Sequence, residues 1–397
     1  MQLFKRKVVV ACLLVLGLSA CSSTEDEDLI VADLPEIKAQ FKPEVLWSES
    51  VGGVGKYFSR IKPNVAYGKV FTASRIGDAS AYDVKTGDEL WSTDLSDPKN
   101  ERGFFEKRHS ALLNGGPTSG DGKVFYGSEN GFLFALEENT GKLLWQSKIK
   151  GEIIAAPAVY SNIVVVNSAS GELKAFNTDS GEELWKIQQD VPALTLRGIS
   201  APTINSGGVI VGDSLGNISV YLVEKGQPSW VAEVGEATGS TELERVIDVD
   251  SKPVAYGDKI YAIASRGNLA AIELRSGRIL WKRQYSSYRQ ISVDATTIYL
   301  TDVKGHIYAV DRLNGLEKWS QTAFTNRGVT GPVQVGKYIV VGDFEGYLHW
   351  LKQDTGEIVA RYHVDGSGVY ATPTVADDIL YVQSRDGDLL AIKTPNE

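Results

Sequence analysis

One segment pattern recurs along most of the chain, and it constrains the fold more than any other feature. Residues 156–186 show it as a start at Pro157, a β-branched run at 163–166, a polar turn ending at Gly171, an alternating strand, and a second turn before Trp185. Four strand-sized runs separated by turn residues predict a four-stranded antiparallel meander. The second run is continuously apolar, which is typical of a strand covered on both faces.

The repeat count predicts a closed ring. Six copies end near a tryptophan, namely Trp91, Trp145, Trp185, Trp230, Trp281 and Trp319. A seventh copy has Ala360 in place of the tryptophan, and an eighth stops after its third strand. The missing fourth strand is present at the other end of the chain as "EVLWS", around Trp47. A terminal strand that completes the last sheet leaves no open edge. We therefore predict an all-β fold over residues 43–397, an eight-bladed β-propeller of four-stranded antiparallel blades whose last blade is closed by the N-terminal strand.

The residues around each tryptophan indicate which kind of propeller this is. No blade-ending tryptophan is followed by aspartate, so the WD40 repeat does not fit. The form Ala-x-(Asp/Glu/Asn)-x-x-(Thr/Ser)-Gly-x-x-x-Trp resembles the tryptophan-docking repeat of quinoprotein-type propellers. The resemblance implies that each indole lies between neighbouring blades, with its N–H bonded to a backbone acceptor.

The N-terminus predicts export and lipidation. A basic Lys5-Arg6-Lys7 precedes an apolar run at 8–18, which is too short to cross a bilayer as a helix. The order of basic and apolar regions is that of a signal peptide over residues 1–20. The following Leu-Ser-Ala-Cys resembles the lipobox of bacterial lipoproteins, which implies a lipid on Cys21. The alternative is an ordinary secretory signal with an incidental cysteine. Ser22 favours sorting to the outer membrane.

Charge and cysteine usage restrict the partners of the exported chain. The sequence has 41 basic and 50 acidic residues, and three of the basic ones lie in the signal. This acidic balance argues against nucleic acid and against broad contact with anionic lipid as partners, since both need a basic face. The two cysteines are Cys12 and Cys21, so no disulfide is expected in the body. We assign the acidic residues 21–42 to a lipidated tether.

Several motifs resemble catalytic or metal-binding sites, but the sequence around each of them does not fit that function. "GDSLG" at 212–216 matches a nucleophile elbow, but it falls in the turn between the second and third strands of its repeat. Asp248-Val249-Asp250 resembles the opening of a calcium loop, but Pro253 stands where glycine belongs. "GGVG" at 52–55 lacks the strand and helix of a dinucleotide loop. The histidines fall in different repeats without ligand spacing. We therefore predict no enzyme, no metal and no cofactor.

The informative residues are those that the repeat does not need. The joints from one blade to the next are longest after residues 47, 91, 185 and 230, and in a meander propeller all joints emerge on one face. Loops on a rigid scaffold commonly carry binding residues. The joint after the third blade contains "PALTLRG", and the following joint contains Asp248 and Asp250. Two alternatives remain open here. Leu194, Leu196 and Arg197 bind a protein partner while the acids steer its basic surface, or the leucines plug the blade interface and Arg197 bridges the acids.

The lipobox, the tether, the eight blades and these two joints together resemble the BamB family of lipoproteins, which belong to the outer-membrane β-barrel assembly (BAM) machinery. The resemblance covers nearly the whole chain, and "LTLRG" at 194–198 and "ERVIDVDSKPV" at 244–254 are its most specific segments. It implies a non-catalytic scaffold, lipid-anchored at the periplasmic face of the outer membrane, that binds the POTRA domains of BamA and promotes insertion of nascent outer-membrane proteins. The implied partner-binding residues are Leu194, Leu196, Arg197, Asp248 and Asp250.

The alternative function is that of a periplasmic dehydrogenase dependent on pyrroloquinoline quinone (PQQ), since that class shares the repeat. Such enzymes hold the cofactor with a pair of adjacent cysteines and a calcium ion. The chain has no adjacent cysteines and no large insertions.

Overall fold

The structure, a computed structural model, describes residues 30–53, 61–97, 108–236, 241 and 246–395. The chain divides into two compact units, Met1–Val31 and Ala32–Glu397. Of the first unit only Ile30 and Val31 are described, and both are exposed. The predicted signal peptide and Cys21 lie outside the described residues. Within the described ranges, no helix has the length and apolar character to cross a membrane.

The described residues form thirty-two strands in eight antiparallel sheets of four. Blades 1 and 2 contain β2 (Asn64–Ala66), β3 (Lys69–Ala73), β4 (Asp78–Asp83), β5 (Glu89–Asp94), β6 (Leu113–Gly120), β7 (Lys123–Ser128), β8 (Phe132–Glu137) and β9 (Leu143–Lys148). Blades 3 and 4 contain β10 (Ala158–Tyr160), β11 (Ile163–Asn167), β12 (Glu172–Asn177), β13 (Glu183–Gln188), β14 (Thr203–Asn205), β15 (Gly208–Gly212), β16 (Asn217–Leu222) and β17 (Pro228–Glu233).

The second half of the ring repeats this arrangement. Blades 5 and 6 contain β18 (Val254–Tyr256), β19 (Lys259–Ile263), β20 (Asn268–Glu273), β21 (Ile279–Gln284), β22 (Ser292–Val293), β23 (Thr297–Thr301), β24 (Ile307–Asp311) and β25 (Glu317–Gln321). Blades 7 and 8 contain β26 (Val333–Val335), β27 (Tyr338–Gly342), β28 (Tyr347–Lys352), β29 (Ile358–His363), β30 (Thr374–Ala376), β31 (Ile379–Gln383), β32 (Asp388–Lys393) and β1 (Glu44–Ser50).

The ring closes by pairing the two ends of the propeller. The order in blade 8 is β1-β32-β31-β30, and Trp47 of β1 lies opposite Ala391 of β32. First strands of neighbouring blades contact one another, for example β2 with β6 and β10 with β14, and β2 of blade 1 contacts β30 of blade 8. The predicted fold, an eight-bladed propeller closed by its N-terminal strand, is confirmed.

The turn before each docking tryptophan explains the repeated Thr/Ser-Gly. In blade 1, Asp83 Oδ1 accepts the backbone N–H groups of Lys85 at 2.8 Å and Thr86 at 3.0 Å, which fixes the turn. Gly87 closes it with φ +80°, a conformation that costs a residue with a Cβ. A Cβ on Gly87 would also lie 2.8 Å from the Trp47 ring of the preceding blade. The glycine therefore serves both the turn and the blade interface.

The tryptophans are structural, as the sequence predicts. Six of their indole N–H groups donate to a backbone carbonyl of the next blade at 2.7–3.1 Å, in the pairs Trp47–Val84, Trp91–Glu138, Trp145–Thr178, Trp185–Val223, Trp230–Leu274 and Trp319–Gln353. Each bond satisfies a polar group that would otherwise be desolvated between the sheets.

Blade 7 also has a tryptophan at its interface, but here the tryptophan lies on the third strand and the alanine on the fourth. In the other blades an alanine or valine of the third strand faces the tryptophan of the fourth, whereas here Trp350 of β28 faces Ala360 of β29. The Trp350 indole is fully buried and donates to Thr394 Oγ1 at 2.9 Å. Phe41 lies edge-on to it at 6.3 Å. The alanine at position 360 therefore does not leave this blade interface without a docking tryptophan.

Part of the predicted tether is packed on the propeller. Residues 32–42, which the sequence assigned to the tether, belong to the same compact unit as the blades. The Ala32 N–H donates to the Thr325 carbonyl at 3.0 Å, and the Gln40 N–H donates to the Val359 carbonyl at 2.8 Å. This segment follows blades 6 and 7 because its apolar side chains find cores there. Those side chains are Leu34 and Phe41.

A buried polar network holds the same segment. Arg361 donates to the Pro35 carbonyl at 3.1 Å and through Nε to His349 Nδ1 at 3.2 Å. His349 Nε2 then donates to Asp343 Oδ2 at 3.1 Å, so the ring is neutral. Burial lowers the pKa of His349 and outweighs the effect of the Asp343 carboxylate. Arg327 pairs with Asp343 at 2.9 Å.

The joints between blades and the turns between second and third strands lie on one face, which we call the joint face. Backbone hydrogen bonds link the two sets, for example from Ile153 N–H to the Ser128 carbonyl at 2.9 Å and from Val249 N–H to the Asp213 carbonyl at 3.0 Å. The "GDSLG" segment is such a turn, between β15 and β16, and Asp213 Oδ1 accepts the N–H of Leu215 at 2.9 Å. Its assignment as a turn is confirmed.

Candidate functional site

The two joints singled out by the sequence meet on the joint face. One joint runs from β13 to β14 and carries Leu194, Leu196 and Arg197, and the other ends at β18 and carries Asp248. The Leu196 backbone N–H donates to Asp248 Oδ2 at 2.6 Å. The bond joins residues 52 positions apart, so the two joints, which the sequence places on one face, are in direct contact.

Asp248 lies inside the protein. Its side chain is fully buried, and its Oδ1 has no hydrogen-bond partner among the described residues. Burial raises the pKa of Asp248 to about 6, although the bond from Leu196 favours the ionised form. A carboxylate in this position cannot touch a partner, and its role is to hold the backbone of the leucine loop.

Asp250 is buried beneath the same loop. A Cβ on Gly198 would lie 1.8 Å from Asp250 Oδ2, so the carboxylate packs directly against the Gly198 backbone. Only a residue without a side chain permits this approach. The expectation that Asp248 and Asp250 present negative charge to a partner does not hold in the structure, because both acids are enclosed by the loop that they support.

Arg197 bridges acids, but not the two that the sequence suggested. Its Nη2 lies 2.9 Å from Glu129 Oε2, and its Nε lies 3.3 Å from Glu152 Oε2. The Arg197 side chain remains 60% exposed. Its guanidinium is therefore oriented by the two carboxylates while much of the side chain faces solvent.

Glu129 connects this arginine to the rest of the scaffold. It belongs to the second-to-third-strand turn of blade 2, and its side chain is 8% exposed. Arg75 pairs with it at 2.8 Å, and Asn114 donates to it at 3.0 Å. Burial acts to raise the pKa of Glu129, but Arg75 and Arg197 hold it below its usual range. No sequence signal points to this role, because "GSENG" has the composition of an ordinary turn.

Both leucines of the loop face solvent. Leu194 is 45% exposed and Leu196 is 38% exposed, so neither plugs the interface between blades. Val191 in the same joint and Leu215 in the neighbouring turn of blade 4 are also exposed. We call these four residues the leucine patch. Exposed apolar side chains grouped on a pinned loop are typical of a protein-binding surface.

A groove lies beside the leucine patch. Its volume is about 190 Å³, and its walls come from the joint that carries Leu196 and from the turns of blades 3 and 4. Lining residues include Ala169, Val191, Leu196, Arg197 and Ser214. The site thus combines apolar side chains, one oriented cation and a concave surface on a loop held by buried carboxylates.

Comparison with known sequences gives a consistent result. A family model described as "Outer membrane protein assembly factor BamB" matches residues 75–321 and 319–396. A protein of Shewanella oneidensis with that same name is 41% identical over 396 residues, covering 100% of both chains.

Comparison with solved structures distinguishes family from fold. The crystal structure of BamB from Moraxella catarrhalis matches with a TM-score of 0.78 and 26% identity, over 89% of this chain and 100% of that chain. Quinohemoprotein alcohol dehydrogenase from Comamonas testosteroni matches with a TM-score of 0.67 and 15% identity, over 88% of this chain and 76% of that chain. The likeness to the dehydrogenase is one of fold alone.

Proposed function

The chain belongs to the BamB family of outer membrane protein assembly factors, and on that premise we propose that it is a non-catalytic scaffold of the outer-membrane β-barrel assembly complex. In this proposal it binds the POTRA domains of BamA and so promotes folding and insertion of β-barrel proteins. Nascent barrel proteins are further partners. The observation that carries the proposal is the leucine patch, three of whose four exposed residues lie on a loop that two buried aspartates support.

The geometry supports different roles for the residues of the site. Leu194 and Leu196 supply apolar contact area, and Arg197 supplies a donor that Glu129 and Glu152 orient. Asp248 and Asp250 act only through the loop. A pinned loop loses little conformational entropy on binding, so more of its contact energy appears as affinity.

We also propose that a lipid anchors the scaffold to the membrane. A lipid on Cys21 would hold the chain at the periplasmic face of the outer membrane. Only residues 21–31 are then available to span the distance from the lipid to the propeller, since 32–42 pack on the blades. At about 3.3–3.6 Å per extended residue, this shorter tether reaches at most about 40 Å from the membrane.

Co-purification tests the proposal. A tagged full-length chain is solubilised from membranes and its partners are identified by mass spectrometry, with BamA expected among them. The variant Leu194→Ala/Arg197→Ala should recover much less BamA while its circular dichroism is unchanged. Leu313→Ala/Arg278→Ala is the matched control, because both residues are exposed in turns on the opposite face.

The co-purification experiment distinguishes two ways in which the proposal could fail. Absence of BamA from the wild-type sample would contradict membership of the complex. Equal recovery with the double variant would contradict only the assignment of the leucine patch. For the PQQ-dependent dehydrogenase alternative, quinone and calcium added to the chain should produce dye-linked alcohol oxidation; we expect none.

A further inference from the structure

A second cavity lies on the axis of the ring, at the joint face. Its volume is about 150 Å³, and it is lined by residues just before the first strands of several blades. The lining residues come from blades 1, 2, 3, 4, 5, 6 and 8, so the cavity is the mouth of the central channel. None of the leucine-patch residues lines it.

Three cations converge on this channel mouth. They are Lys62 before blade 1, Lys252 before blade 5 and Arg289 before blade 6. Lys62 Nζ donates to Gln290 Oε1 at 3.1 Å, and Arg289 Nη2 donates to the Gly328 carbonyl at 3.2 Å, so both of these partners are neutral oxygens. In the described part of the chain, no carboxylate lies within ion-pair distance of the three cationic groups. The positive charge of the mouth is therefore not compensated by ion pairs among the described residues.

This concentration of positive charge is unusual for the chain that contains it. The net charge of the whole sequence is −9. Asp250 is the one carboxylate among the described lining residues, and it packs against Gly198 on the side of the leucine loop. Burial and the charge of Lys252 lower the pKa of Lys62 to about 8, and desolvation by surrounding residues lowers the pKa of Lys252, although this residue is exposed to solvent. An anion between the two lysines would relieve both effects.

Apolar and aromatic residues form another part of the wall. Ile154, Ala155 and Ile199 form a small buried cluster that reaches the cavity. Tyr288 contributes a ring with the Arg289 guanidinium 4.8 Å from its centroid, and Tyr370 contributes a second ring. The cavity wall therefore combines cationic, polar and apolar groups.

We propose that the channel mouth binds a small organic anion, a monocarboxylate whose apolar body is about the size of one ring. The carboxylate pairs with Lys62 and Lys252, and the body packs on Ile154 and Ile199. A cavity of about 150 Å³ is large enough for a benzene-sized group. None of the four leucine-patch residues contributes to this site, although Ile154, Ile199 and Asp250 line both this cavity and the groove beside the patch.

Benzoate is the probe for this site. The purified full chain is titrated with benzoate, with benzyl alcohol as the neutral molecule of similar shape, and with inorganic phosphate, by isothermal titration calorimetry. Saturable binding of benzoate is expected, stronger than that of either other compound. Lys62→Gln and Lys252→Gln should each weaken it about tenfold or more, as expected for loss of a charge-assisted hydrogen bond. Lys225→Gln, at an exposed turn on the opposite face, should leave it unchanged.

The pH dependence of benzoate affinity distinguishes a lysine that binds the anion from one that only supports the fold. Benzoate affinity should fall as the pH rises through the Lys62 pKa of about 8, because the ammonium loses its proton there, and binding should take up protons. The proposal is overturned if benzoate does not bind, if benzyl alcohol or phosphate binds as tightly, or if the lysine variants keep wild-type affinity with unchanged melting temperatures.

Discussion

Asp248 Oδ2 and the backbone N–H of Leu196 are 2.6 Å apart, and this bond ties the joint after blade 3 to the joint after blade 4. The carboxylate is buried and its second oxygen has no partner among the described residues. A charge placed in this way costs stability but fixes the loop that presents Leu194 and Leu196. The aspartates of the site are thus best understood as supports for the exposed side chains.

The first prediction concerns pH and Asp248. Its folded-state pKa is about 6, whereas the ordinary pKa of an aspartate is 3.8, so the folded protein holds this proton more tightly than the unfolded chain. The contribution to stability is present below about pH 4 and is lost as pH rises through about 6. Asp248→Asn keeps an acceptor for Leu196 and removes the charge, so at about pH 7.5 it should be about 1–3 kcal/mol more stable than wild type. The difference between the two urea-unfolding free energies should vanish near about pH 4, and a constant difference over the whole range would contradict the account.

The second prediction concerns Gly198. Gly198→Ala should displace the loop, because its Cβ would overlap Asp250 Oδ2. Affinity for the POTRA domains of BamA should therefore fall although no contacting side chain is removed. Gly366→Ala is the control, since an added Cβ there meets no atom within 4 Å. Equal affinities for the two variants would show that Asp250 does not position the loop.

The third prediction concerns Glu129. Glu129→Gln removes the charge shared by Arg75 and Arg197, and Arg75 then loses this ionic partner while it stays buried. Unfolding free energy should fall by about 1–3 kcal/mol. Partner affinity should also fall, because Arg197 keeps only Glu152. Glu182→Gln, at an exposed turn on the opposite face, should change neither quantity. Wild-type affinity in Glu129→Gln would mean that Arg197 needs no orientation.

The fourth prediction concerns the exchanged pair in blade 7. Trp350→Ala should lower the unfolding free energy by about 3–5 kcal/mol, since the side chain is fully buried and its N–H bonds Thr394. Trp281→Ala should cost less, because Trp281 is only half-buried. Urea unfolding followed by circular dichroism gives both values. A smaller loss for Trp350 than for Trp281 would contradict its role at the interface between blades 7 and 8.

The fold could be predicted from the sequence because its signal is repetitive. The spacing of turn glycines and tryptophans determined the blade pattern, and Trp47 in "EVLWS" revealed the closing strand. The exchange of Trp350 and Ala360 was not predicted, since a tryptophan in the third strand has no counterpart in the other repeats. Its hydrogen-bond partner across the interface is Thr394, which directly follows β32.

The site was predicted only in part, for a different physical reason. Loop spacing located Leu194, Arg197 and Asp248 on one face, but a loop sequence does not state which side chains point inward. Burial of Asp248 depends on contacts with another joint. The role of Glu129 depends on three blades at once, and no local pattern records it.

Direct affinity measurement tests the central claim, that the exposed leucines of a pinned loop dock the chain on BamA. The purified POTRA domains are titrated with wild type, with Leu194→Ala/Leu196→Ala and with Leu313→Ala as control. The double variant should bind at least about tenfold more weakly, as for loss of an apolar hot spot, while its melting temperature stays within a degree or two. Leu313→Ala should bind as wild type does. Unchanged affinity in a folded Leu194→Ala/Leu196→Ala variant would contradict the account.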